Sequence, residues 1–284
     1  MNAAPLLEVE NLRVSFPTPT GVVEAVRGVG FTVAGEKVGI VGESGSGKST
    51  VGRAVLRLIP PPGIVRADRL AFGGTDLSAA SERAMRQVRG AKIAMILQDP
   101  RYALNPVMRI GRQIEEAVRV HGRVGRRAAR RRALEMLEQV RIRDPERVHA
   151  AYPHELSGGM GQRAMIAIML AAGPELLIAD EPTSALDVTV QAQVLAILDD
   201  LVTARGMGLV LISHDLELVA SFCDRVLVMY AGRVLESLPA KDLHEARHPY
   251  TRGLLACLPK LERSGERLPT LRRDPAWLGE AAPP

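Results

Sequence analysis

The apolar positions near the N-terminus fall in short runs broken by charged residues and glycine. "LLEVENLRVSF" (residues 6–16), "VEAVRGVGFTV" (23–33) and "KVGIVG" (37–42) are rich in β-branched side chains and predict strands. A helix is predicted after Lys48, and "PPPG" at 60–63 is expected to end it, because proline cannot donate to the helical ladder. "AKIAMILQD" (91–99) predicts another short buried strand. From about residue 100 to 172 the apolar period is helical. Strands return at "ELLIADE" (175–181) and "GLVLISHD" (208–215), separated by the predicted helix "VTVQAQVLAILDDLVTAR" (188–205). Apolar strands alternating with helices predict an α/β fold whose mostly parallel sheet is covered on both faces. After Leu243 the chain turns rich in proline and charge and is expected to pack loosely.

Composition narrows this picture in a few places. At 284 residues and 46% apolar content the chain has ample material for a core. Its longest apolar stretch, residues 164–179, is interrupted by Gly173, Pro174 and Glu175, short of the ~18 residues that span a bilayer. The N-terminus has no basic region followed by an apolar one, so no export signal is expected. Cys223 and Cys257 lack metal-ligand spacing and suit a reducing compartment. The formal charge of +5 comes mostly from arginine, densest in "GRVGRRAARRR" (122–132). That run reads as the solvated face of a helix, with anion binding as the alternative. Aromatic content of 3% argues against base-stacking platforms for single-stranded nucleic acid.

The strongest chemical signal is "GESGSGKST": Gly42, Glu43, Ser44, Gly45, Ser46, Gly47, Lys48, Ser49 and Thr50. Its glycine, lysine and serine spacing is that of a phosphate-binding loop, and it lies between a predicted buried strand and a helix. Glycines let backbone N–H groups converge on phosphate oxygens, Lys48 offsets their charge, and the Ser49 hydroxyl can ligate Mg²⁺. Such a loop needs a carboxylate from another strand end. Asp180 ends "LLIAD" and can hold the metal, through water. Glu181 follows and can polarise an attacking water as general base. Gln98 and His214 end two further predicted strands on the carboxyl edge where ligands of open α/β sheets collect. The Gln98 amide can reach metal or water, and His214 can donate to a γ-phosphate.

A second anion cradle appears at "LSGGMGQR" (156–163), where Ser157, Gly158 and Gly159 stand at the predicted start of an apolar helix. Taken in order, the phosphate loop, Gln98, "LSGGM", "LLIADE", "SALD" (184–187) and His214 resemble the ATP-binding subunit of ABC transporters over about residues 6–240. The resemblance implies a P-loop NTPase core with a mostly parallel sheet, an N-terminal antiparallel β subdomain and an inserted α-helical subdomain. It implies ATP and Mg²⁺ as ligands, the metal held by Ser49, Gln98 and Asp180. It also implies two ATPase subunits packed head to tail, with Ser157, Gly158 and Gly159 gripping the γ-phosphate held by the partner's loop. Asp187 would lie at the dimer seam, and Phe16 matches the aromatic that stacks on adenine.

Met160 departs from the Gln usual after Ser-Gly-Gly. With "QDPRYALNPVMRIGRQI" and the tail "HPYTRGLLACLP", it resembles ATPases of dipeptide, oligopeptide and nickel importers. The implied arrangement is an ATPase domain at 1–243, with its helical insertion at about 100–172, and an extension at 244–284. No cysteine follows Cys257, so the Cys-rich stretch common in that subgroup is not expected here. The implied partners are a second ATPase subunit (a heterodimer, with a homodimer as the alternative), two membrane permeases and, indirectly, a periplasmic binding protein. No nucleic acid is expected, and the implied place is the cytoplasmic face of a bacterial inner membrane. Two alternatives stay open: an ATPase of a soluble assembly such as phosphonate carbon–phosphorus lyase, and a non-transport ABC ATPase acting on nucleic acid.

Overall fold

A computed structural model of the chain describes residues 5–122, 124–184, 186–258, 271 and 274–278. Two compact units divide it, one made of Met1–Ala79 with Val210–Pro284 and the other of Ala80–Leu209. The first unit opens with β1 (Leu7–Thr18) and β2 (Gly21–Val33), then β3 (Lys37–Val41), α1 (Lys48–Val55), β4 (Ile64–Arg66), β5 (Arg69–Phe72) and β6 (Thr75–Asp76). β1 pairs antiparallel with β2, β4 and β5, and β6 extends the edge through β5. Leu7, Val9, Leu12 and Val14 of β1 are all buried, which a strict period of two does not allow. A register shift between Val9 and Leu12, with Asn11 at φ 48°, supplies the odd residue. Such a bulge lets one strand keep its apolar side on the core across the break.

The helix after the phosphate loop stops sooner than the prolines require. α1 ends at Val55; the Arg57 N–H reaches the Ala54 carbonyl and the Leu58 N–H reaches that of Arg53. Arg57 has φ 52°, so these bonds form a Schellman cap with arginine in the position glycine usually takes. The stop is therefore a backbone cap, and the helix ends five residues before Pro60.

The second unit runs through α2 (Glu82–Val88), β7 (Ile93–Ile96), α3 (Pro100–Ala103), α4 (Ile110–His121), α5 (Arg126–Gln139), α6 (Pro145–Ala150), α7 (Gly158–Leu170), β8 (Leu176–Asp180) and α8 (Val188–Arg205). β7 and β8 pair in parallel and are fully buried, as expected of strands covered on both faces. The helices between them bury apolar stripes: Ile110, Ile114 and Val118 on α4, and Ala129, Ala133, Met136 and Leu137 on α5. Arg126, Arg127, Arg130 and Arg131 occupy the exposed side of α5, where Arg130 pairs with Glu146 at 2.6 Å. The basic run is thus the solvated face of an amphipathic helix; its Arg123 lies outside the described residues.

β9 (Gly208–Ser213) leads back to the first unit, which it joins from Val210. There follow α9 (Leu216–Phe222), β10 (Arg225–Tyr230), β11 (Arg233–Pro239) and α10 (Pro249–Ala256). The strand order within this unit is β11-β10-β3-β9; β10 runs parallel to β3 and β11 antiparallel to β10. The fold is that of a P-loop NTPase core, with an antiparallel β subdomain and an inserted helical one.

The start of the C-terminal extension departs from the loose packing expected of it. Tyr250 on α10 is fully buried, its ring centroid 4.7 Å from that of Tyr230 and 5.7 Å from that of Trp277. Three aromatic rings give a small satellite core that composition averages conceal. The stretch 259–270 lies outside the described residues, as do 272–273 and 279–284.

Candidate functional site

The phosphate loop connects β3 to α1 and is wedged tightly into the first unit. A Cβ on Gly42 would strike the carbonyl oxygen of Met229 on β10, and one on Gly47 that of Ala25 on β2. Gly47 also has φ 98°, a conformation costly to any side chain bearing a Cβ. The Gly232 N–H donates to the Ser46 carbonyl at 2.9 Å, tying the loop to the β10–β11 turn. Glycine spacing here answers to backbone packing.

Lys48 is buried, and its Nζ donates to the carbonyls of Gly42 at 2.8 Å and Glu43 at 2.9 Å. The ammonium thus arches back over the loop that precedes it. The Ser46 Oγ is buried without a hydrogen-bond partner in the structure. An orphaned hydroxyl in a glycine-rich turn is what a site shaped for a polar ligand presents. Ser44 and Gly45 are exposed at the crest; Glu43, Ser49 and Thr50 are half-buried.

His214 follows β9 directly and is exposed. Its neighbour Asp215 caps α9 by accepting from the Leu218 N–H at 3.0 Å, which fixes the backbone at the strand end. Phe16 lies half-buried on β1 opposite Val23, its ring beside Gly63.

In the second unit, two of the expected residues meet. Gln98 Nε2, just past β7, donates to Glu181 Oε2, just past β8, at 3.0 Å. Parallel pairing of β7 with β8, Ile96 opposite Ala179, brings the two strand ends side by side. Glu181 has φ 46°, an uncommon conformation for a residue with a Cβ, and such strain gathers at functional sites. Asp180, one residue earlier, is buried at 3% exposure. Ser157, Gly158 and Gly159 open α7, where Ser157 Oγ accepts from the Met160 N–H at 3.4 Å; Ser157 and Gly158 are exposed. A Cβ on Gly159 would come within 2.7 Å of Val190 Cγ1, so that position is small because α8 packs against it. Asp187 caps α8 through Val190, and Ala185 of "SALD" lies outside the described residues.

Sequence reasoning missed two residues. Gln162, 1% exposed, donates through Nε2 to the Pro182 carbonyl and ties α7 to the segment carrying Glu181. Its signal was a polar amide within an otherwise apolar helix face. Tyr250 is the other; its hydroxyl accepts from the Glu43 N–H at 3.2 Å.

Among the described residues, no three or more His, Cys, Asp or Glu side chains form a metal-binding group. Mg²⁺ does not require one, because it is usually bound through one or two carboxylates, waters and substrate phosphates. Within the second unit the Asp180 carboxylate is an oxygen donor of the kind Mg²⁺ takes.

The loop, its buried lysine and the strand-end carboxylates define a P-loop ATPase. Residues 26–184 match the family model described as ABC transporter, and the chain belongs to that family. It is 51% identical over 264 residues to the oligopeptide transport ATP-binding protein OppD of Bacillus subtilis (strain 168), covering 92% of this chain and 74% of that protein. OppD of Mycobacterium tuberculosis (strain ATCC 25618 / H37Rv) is 50% identical over 284 residues, which cover 99% of this chain and 46% of that longer protein. Among solved structures, the dimeric post-hydrolysis state of the ATP-binding cassette MJ0796 bound to ADP and Pi superposes with a TM-score of 0.74 at 26% identity. The match covers 83% of this chain and 99% of that one. The chain is an ABC ATPase, and neither a soluble lyase assembly nor a nucleic-acid role is favoured.

Proposed function

We propose that this chain is the ATP-hydrolysing subunit of a peptide importer and works as one half of an ATPase pair. One observation carries the pairing: the chain holds a complete phosphate loop of its own, yet Ser157 and Gly158 stand exposed at the head of a second, 13-residue helix. That exposed positive helix end suits a phosphate presented by another subunit. Relatives about 50% identical carry oligopeptide transport names, which supports peptides as the cargo.

In this reading the backbone N–H groups of Gly45 to Thr50 cradle ATP, and Phe16 stacks on its adenine. Lys48 turns from the Gly42 and Glu43 carbonyls towards the β- and γ-phosphates. Ser49, Gln98 and Asp180 would hold Mg²⁺, which when bound offsets phosphate charge. Glu181 accepts a proton from the attacking water as its oxygen bonds to the γ-phosphorus; the bond to ADP breaks, and His214 steadies the γ-oxygens. Ser157, Gly158 and Gly159 of this chain close the partner's site, and the partner's matching helix start closes this one, so ATP binding favours the closed pair and hydrolysis releases it. Two permeases receive that motion, with the chain lying peripherally on the cytoplasmic side. No helix of the described residues is long and apolar enough to cross a membrane. Residues 1–243 constitute the ATPase domain, with the helical insertion at about 100–172, and 244–284 the importer-type extension. The second ATPase is a related chain, giving a heterodimer, and a periplasmic binding protein delivers the peptide.

The test is hydrolysis by the complex assembled with its membrane permeases. Peptide-loaded binding protein should stimulate Mg-ATP turnover. Stimulation by nickel alone, or by no solute at all, would overturn the assignment of peptides.

A further inference from the structure

The described part of the C-terminal extension has a feature that nucleotide chemistry alone does not call for. His248 caps α10, its Nδ1 accepting from the Tyr250 N–H at 3.1 Å, and Pro249 takes the first helical position. This fixes Tyr250 in the first turn. Its ring is buried against Tyr230, the last residue of β10, while Trp277 packs edge-on to both rings. Farther along α10, Leu271 sits against Gly253, so the later segment braces the helix at two points. The Tyr250 hydroxyl, held by this cluster, accepts from the Glu43 N–H of the phosphate loop.

Glu43 is thereby held at both of its backbone ends. Tyr250 takes its N–H, while its carbonyl accepts from Lys48 Nζ at 2.9 Å and from the Ser46 N–H at 3.2 Å. Loops that bind phosphate work by directing several N–H groups inward together, and one misplaced peptide disturbs the rest. We propose that Tyr250 is a positioning residue of the nucleotide site: its hydroxyl fixes the peptide between Gly42 and Glu43 and so pre-forms the loop. This rests on the assignment of residues 42–50 as the ATP site. The extension after β11 then belongs to the ATPase machinery, since the aromatic cluster sets how much of the loop population is ready for ATP. Where that population falls, apparent affinity falls by the same fraction.

The experiment is equilibrium titration of a fluorescent ATP analogue with Mg²⁺ into the full chain, comparing wild type with Tyr250→Phe, Tyr230→Phe and Lys48→Ala. Tyr250→Phe keeps the buried ring and removes only the hydroxyl. It should weaken binding about 3- to 10-fold, the range of one neutral hydrogen bond, with the nucleotide-free unfolding midpoint little changed. Tyr230→Phe removes a hydroxyl from the same cluster and should bind as wild type. Wild-type affinity in Tyr250→Phe would overturn the proposal. So would an equal loss in Tyr230→Phe, which would trace the effect to ring packing. Lys48→Ala separates this from the underlying assignment: if it too binds normally, residues 42–50 are not the ATP site.

Discussion

Gln98 and Glu181 share a hydrogen bond of 3.0 Å between the ends of two parallel strands, and it aims the carboxylate assigned as general base. Glu181 is already restricted by its left-handed backbone, and the amide adds a constraint on its side chain. Gln98→Ala should therefore lower turnover at saturating Mg-ATP by about 10-fold, equivalent to ~1.4 kcal/mol of barrier. Steady-state phosphate release checks it; an unchanged rate would mean that Glu181 is aimed by other groups.

Gly47 tests the rigidity of the phosphate loop. Its φ of 98° and the nearby Ala25 carbonyl leave no place for a Cβ. Gly47→Ala should cost about 1–3 kcal/mol of stability. The cost should appear as a lower urea midpoint with an unchanged m-value. An unaltered midpoint would show that the loop relaxes freely.

The two cysteines should differ in reactivity. Burial pushes the Cys223 thiol up to about 12, with the Asp224 carboxylate adding to the rise and Lys37 opposing it. The thiolate is the nucleophile, so Cys223 should resist iodoacetamide at pH 8 in the folded chain, while the half-buried Cys257 is alkylated first. Peptide mass spectrometry after timed quenching distinguishes them, and equal labelling would contradict the burial of Cys223.

Glu36 makes a pH prediction. Burial pushes its carboxyl up, but the Arg225 guanidinium at 2.7 Å and the Ala34 N–H outweigh this and hold it below the ordinary glutamate range. A carboxyl lowered by folding adds stability above its unfolded pKa, roughly 4.3, and loses it as pH falls through the folded value. Glu36→Gln should flatten the decline of the unfolding midpoint in that acidic window. An identical decline in the variant would assign the acid sensitivity elsewhere.

Much of this architecture is legible in local pattern. The helix 188–205 and the buried strands at residues 93–96 and 176–180 follow from period and apolar content, and the phosphate loop from its spacing. What was hidden depends on backbone geometry or on distant partners. The bulge at Asn11 keeps both halves of β1 on the core, although strict alternation would turn one half outward. The end of α1 depends on Arg57 accepting a left-handed conformation, which composition does not signal. Tyr250 meets Glu43 across 207 residues of chain, so no window of sequence contains the pair.

The central claim, that this chain hydrolyses ATP with Glu181 as general base, is tested most directly by the turnover of Glu181→Gln in the assembled complex at saturating Mg-ATP. The account predicts a loss of ~100-fold or more with ATP binding retained, because the amide keeps the shape and cannot take the proton. Hydrolysis at the wild-type rate would contradict it.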